Sequence, residues 1–100
     1  MHNMDMIKMH TVNTDEEFIV SITLKDFDKM ISFLKSLNLE DADKEVLMNK
    51  EKFYESAWNL ETKDGEKLLV IYGREKIHLI LRKNEKYEQL KEKLFKYISF

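Results

Sequence analysis

The chain has no cysteine and no proline, and only two glycines in 100 residues. Without cysteine there is no disulfide framework, no thiolate zinc site and no cysteine nucleophile. The composition fits a reducing compartment, and the cytoplasm is the expected location. With proline missing and glycine confined to Gly65 and Gly73, nothing resembles a linker or a low-complexity segment. Neither glycine opens a helical pattern, so a glycine-rich phosphate cradle is absent too. No apolar run approaches the ~20 residues of a membrane span. The Met1 to Val12 stretch is broken by His, Asn, Asp and Lys, unlike an export leader. No internal repeat is visible. The expectation is one domain over residues 1–100, with 1–5 a ragged terminus.

Charge is nearly balanced, 17 Lys and Arg against 19 acids, for a net charge of −2. It is unevenly spread. Residues 1–50 hold six Lys against ten acids, and residues 51–100 hold eleven Lys and Arg against nine acids. A nucleic-acid binder draws most of its affinity from a strongly basic face that neutralises phosphates. Here the cations are interleaved with glutamates, which argues against that class.

What the chain does contain is clear periodicity. Met6 to Val12 reads as a short strand, with Asn13 to Glu16 as polar turn material. In the next strand Phe18, Val20, Ile22 and Leu24 alternate with Ile19, Ser21 and Thr23, and the even-numbered set should face a core. After Asp26, a candidate N-cap, the period becomes helical. Phe27, Met30, Ile31, Leu34 and Leu37 form one stripe, Phe33 lies near its boundary, and Asn38 marks a stop. Leu39 to Asn49 suits a short helix capped by Asp41 or Asp43 with Ala42, Val46 and Leu47 inward, or alternatively an acidic loop.

From Phe53 to Lys83 the chain reads as a three-strand meander. Its first run, Tyr54 to Glu61, places Tyr54, Ser56, Trp58 and Leu60 on one face. The Asp64-Gly65 pair then signals a turn, since glycine takes positive φ without steric cost. The runs Leu68 to Tyr72 and Ile77 to Leu81 are apolar on nearly both faces, the pattern of interior strands. A last helix follows Asn84, another N-cap candidate, with Tyr87, Leu90, Leu94 and Ile98 as its apolar stripe and Glu92–Lys96 as its clearest ion pair. The expected fold is therefore α+β: an antiparallel sheet of about five strands, ordered β-β-α-(α)-β-β-β-α, with two main helices packed on it.

Catalytic chemistry is hard to find in this pattern. His2, His10 and His78 lack the helical spacing of a metal site, and a cluster of His2, Asp5 and His10 has only proximity in its favour, so no metal or other cofactor is expected. His78 is the sole polar residue in Ile77 to Leu81. A general base there has no nucleophile assignable from sequence, so an imidazole hydrogen-bonded within the sheet is the preferred reading. No serine stands in a Gly-x-Ser-x-Gly setting. Trp58, Tyr54 and Tyr72 near Lys67, Arg74, Lys76 and Arg82 would suit a base-stacking platform, but the helices need aromatic core to pack on.

The leading expectation is a small non-catalytic protein-binding domain acting through a sheet face or edge, as a homodimer or with another protein. Two helices on one sheet face would leave Leu69, Ile71, His78, Ile80 and Arg82 on the other. One alternative is a nucleic-acid-mimicking inhibitor of mobile-element or viral type, using Glu40, Asp41, Asp43 and Glu45. The other is weak RNA or DNA binding through the basic second half. No membrane partner is expected.

Overall fold

The computed structural model of the chain describes residues 9–23, 26–48 and 57–98. In chain order these form β1 (His10–Asn13), β2 (Glu17–Thr23), α1 (Phe27–Lys35), α2 (Asp41–Met48), β3 (Ala57–Glu61), β4 (Lys67–Tyr72), β5 (Lys76–Arg82) and α3 (Tyr87–Phe95). The expected α+β order is present. All strand pairs are antiparallel, and the spatial order is β1-β2-β5-β4-β3. The most apolar runs, β4 and β5, thus lie inside the sheet, where both backbone edges are paired. Among the described residues no helix is long and apolar enough to cross a membrane.

Alternation decides which side is core. Val20 and Ile22 on β2, Leu68, Val70 and Tyr72 on β4, Ile77, Leu79 and Leu81 on β5, and Leu60 on β3 are all buried. Against them pack Met30, Phe33, Leu34, Leu47, Leu90 and Leu94 from the three helices, with Leu37, Leu39 and Ile98 from the segments that follow α1 and α3. The helices therefore lie on one side. The aromatic set sits on that side as well: Tyr72 is buried edge-on against Phe27 with centroids 5.5 Å apart, and Trp58 Nε1 donates to Asp43 Oδ1 at 3.2 Å. Trp58 and Tyr72 thus serve the core rather than a stacking platform.

Several local expectations need correction. Phe33, read as a boundary residue, is completely buried, because the inward stripe runs Met30, Phe33, Leu34, Leu37 while Phe27 and Ile31 are half-buried beside it. Ala42 is exposed, and α2 turns inward through Leu47 with Val46 at the margin. Asp26 makes no side-chain cap; its carboxylate accepts instead from Thr23 Oγ1 at 3.3 Å. Helix α1 stops at Lys35. Ser36 follows it and returns its hydroxyl to the Phe33 carbonyl. Asn84 shapes the turn before α3: its side-chain oxygen accepts from the Lys86 N–H at 2.9 Å and its amide donates to the Gly65 carbonyl at 2.9 Å. The ion pair formed on α3 is Glu88 with Lys91, 3.2 Å. Leu24, Tyr54, Ser56 and the Met6 to Lys8 part of the expected first strand lie outside the described residues.

The turn between β3 and β4 falls at Asp64-Gly65, where Gly65 has φ +89°. A side chain is strained in that region whatever space surrounds it. Gly65→Ala is therefore expected to lower stability by about 1–2 kcal/mol, read from the urea midpoint; an unchanged midpoint would mean that the turn relaxes freely. The second glycine answers a different need. A Cβ at Gly73 would stand 3.1 Å from the Lys76 carbonyl, which accepts the Gly73 N–H at 2.9 Å across the β4–β5 turn.

Candidate interaction face

The side of the sheet opposite the helices is ordered in rows, because residues paired across antiparallel strands point the same way. Register sets Val12 beside Ile19, Ile19 beside Ile80, Ile80 beside Leu69 and Leu69 beside Asn59. This is an aliphatic row across four strands with an amide at its end. The adjoining row runs His10, Ser21, His78, Ile71 and Ala57. On the other flank Glu17 lies opposite Arg82, and Lys67 opposite Glu61. Ile19, Leu69, Ile71, His78 and Ile80 are partly exposed, Val12 is 52 % exposed, and none of them belongs to the core cluster.

Three polar pairs are made within this face. Ser21 Oγ and His78 Nδ1 are 2.6 Å apart. The Arg82 guanidinium sits 3.1 Å from the Glu17 carboxylate, and Lys67 Nζ 3.3 Å from Glu61. Beside these charges a cavity of about 530 Å³ is lined by Asn59, Leu60, Glu61, Lys67, Leu68 and Arg82.

Structure thus brings together the sequence-derived set Leu69, Ile71, His78, Ile80 and Arg82, and adds Val12, Ile19 and Ser21. The β2 alternation already pointed Ile19 and Ser21 away from the core. Their meeting with β5 was not readable, since β2 and β5 are far apart in sequence. The acidic set is less unified. Glu40, Asp41 and Glu45 are exposed, but Asp43 holds the Trp58 indole and Lys44 interrupts the charge.

A serine hydroxyl on an imidazole invites a catalytic reading. Among the described residues no carboxylate contacts His78 to orient it. The N–H groups of β5 are committed to ladders with β2 and β4, so they are not free to form an oxyanion hole. The pair is placed to satisfy polar atoms on a sheet. No described group of His, Cys, Asp and Glu could hold a metal ion, and His2 and Asp5 lie outside the described residues. Away from this face, burial pushes the Tyr87 phenol above its ordinary pKa, with Lys91 pulling it down and Glu88 up.

No protein-family model, curated protein or solved structure matches this chain.

Proposed function

We propose that the chain is a small non-catalytic protein-binding domain that works through the open sheet face and pairs there with a second copy of itself. The observation that carries this reading is the row Val12, Ile19, Ile80, Leu69, which runs across four strands on the side away from the helices. Apolar surface gathered in this way is stabilised by removal from water.

A second copy suits this face because three of its polar pairs are already made within it. Ser21 with His78, Glu17 with Arg82 and Glu61 with Lys67 are already paired, so apolar rows can meet without stranding those groups. A two-fold axis brings the same surface to both sides, and two twisted sheets pack face to face about 10 Å apart. The area is adequate: five strands spaced about 4.8 Å apart, with about three rows of side chains, span roughly 24 by 20 Å. That is close to the lower bound of a specific interface, about 1,000 Å² in total, and suits association in the micromolar range.

Sedimentation equilibrium across that range is expected to show a monomer–dimer equilibrium. Ile80→Lys should weaken it by at least about a hundredfold, since the symmetry places two ammonium groups in the apolar centre, while circular dichroism of the monomer stays unchanged. A native chain that remains monomeric throughout would overturn the reading. The nucleic-acid-mimic alternative has less support, because Glu40, Asp41 and Glu45 of its four acids are exposed while Asp43 is half-buried on Trp58, and Lys44 lies among them. Nucleic-acid binding by the basic half is weakened because Lys67 and Arg82 are already engaged by carboxylates.

A further inference from the structure

We infer that the helical side of the domain carries a binding site for a fatty carboxylate, in the hollow where the chain turns from α1 into α2. A cavity of about 330 Å³ lies there, lined by Leu37, Leu39, Leu47 and Met48 with Lys35 and Lys44. The helices pack on the side of the sheet away from the open face, so the site does not depend on the pairing proposed above.

Local rules build its floor. Helix α1 stops at Lys35, and the next residues alternate, Leu37 and Leu39 buried while Ser36, Asn38 and Glu40 are exposed. Backbone bonds fix this turn: the Leu37 N–H donates to the Leu34 carbonyl at 3.1 Å, the Leu39 N–H to the Leu37 carbonyl at 3.1 Å, and the Lys63 N–H, from the β3–β4 turn, to the Asn38 carbonyl at 2.8 Å. Leu47 adds a third leucine from α2. All three leucines belong to the core cluster, so the floor is held in place before a ligand arrives, which lowers the cost of binding. The rim is mobile by comparison. Lys35, Lys44 and Met48 are exposed, and the unbranched Met48 thioether can adapt to an apolar guest.

Size and charge together select the occupant. The volume is at the low end of the ~300–1,000 Å³ of small-molecule sites. It has room for one aliphatic chain but not for the roughly 10 Å wide body of a partner's helix. Among the described residues neither Lys35 nor Lys44 makes an ion pair, although Glu40 and Asp41 stand one turn before Lys44; Asp43 holds the Trp58 indole. Two ammonium groups beside a leucine floor match a ligand with one anionic end and an apolar body. No arginine stands among the lining residues, and a single carboxylate needs no guanidinium fork.

Decanoate, kept below its micelle concentration, is the probe. Calorimetric titration of the full chain should show saturable binding, with amide NMR shifts centred on Leu37, Leu39, Leu47 and Met48. Decanol, with the same chain and no charge, should bind about tenfold more weakly, the scale of two exposed ion pairs. Lys35→Gln combined with Lys44→Gln should bring decanoate down to the decanol level with circular dichroism unchanged, since both positions are exposed. Met48→Glu, which sets a carboxylate at the rim, should weaken decanoate more than decanol. Absence of saturable binding, shifts centred on the open sheet face, equal affinity for decanoate and decanol, or native decanoate affinity in the double lysine variant overturns the inference. Sedimentation equilibrium without ligand decides the pairing separately, so the two readings fail independently.

Discussion

Replacing Glu66 with alanine is expected to reduce the unfolding free energy by about 3 kcal/mol, the lower part of the range for breaking a buried ion pair. Glu66 is fully buried at the base of the β3–β4 turn, yet it is a carboxylate. Its Oε1 accepts from Thr62 Oγ1 at 3.0 Å, and its Oε2 accepts from Gln89 Nε2 at 3.1 Å and lies 2.8 Å from Lys93 Nζ. The Glu66 N–H donates back to Thr62 Oγ1 at 3.1 Å, and the Thr62 N–H to the Glu66 carbonyl at 2.9 Å. One side chain thus joins the hairpin tip to α3. The Lys93 side chain is 29 % exposed and can turn to water when its partner is lost, which moderates the effect. The Thr62 hydroxyl has no such escape. For a domain of this size, 3 kcal/mol corresponds to a fall in Tm of about 15 °C. Glu66→Gln keeps an acceptor for Thr62 but loses the charge, so about half the effect is expected. Urea unfolding measures both; a Glu66→Ala midpoint at the native value would mean that the hairpin is held elsewhere.

The second large effect is expected at Phe33. Phe33→Ala should cost about 3–5 kcal/mol, because the ring is completely enclosed and its removal leaves a cavity that the rigid sheet cannot fill. Phe33 meets Tyr97, in the turn after α3, with centroids 6.5 Å apart. The ring therefore couples the end of α3 to α1, and its loss should free that turn. Phe33→Leu should retain most of the stability, with a cost of about 1–2 kcal/mol. Denaturant titration gives the magnitude, and amide exchange at Tyr97 and Ile98 reports the coupling. Protection there unchanged in Phe33→Ala would sink the coupling, whatever the loss of stability.

These two residues show where reading the sequence stops. Helical period placed Met30, Leu34 and Leu37 correctly, but a stripe inferred from one helix has a free rotation of its edge. Phe33, near the boundary of that stripe, is fully enclosed, with Tyr97 from the turn after α3 beside its ring. Glu66 carried no signal at all. A glutamate after Asp-Gly reads as exposed turn material, and its burial depends on α3 bringing Gln89 and Lys93 over it from more than twenty residues away. The missed caps have a similar origin, since Asp26 and Asn84 have tertiary or turn partners that compete with the helix N-terminus.

The open face divides the same way. Alternation in β2, β4 and β5 was enough to say that Ile19, Ser21, Leu69, Ile71, His78 and Ile80 point away from whatever Val20, Val70 and Leu79 pack on. Period two needs only local backbone geometry, and the Asp64-Gly65 turn needs only the freedom of glycine, so both were written in the residues themselves. Strand order was not. Backbone ladders are chemically alike at every residue, so nothing local states that β2 pairs with β5 rather than β3. Only tertiary structure seats β2 beside β5, and that one pairing turns scattered aliphatic residues into a continuous row and gives His78 its serine.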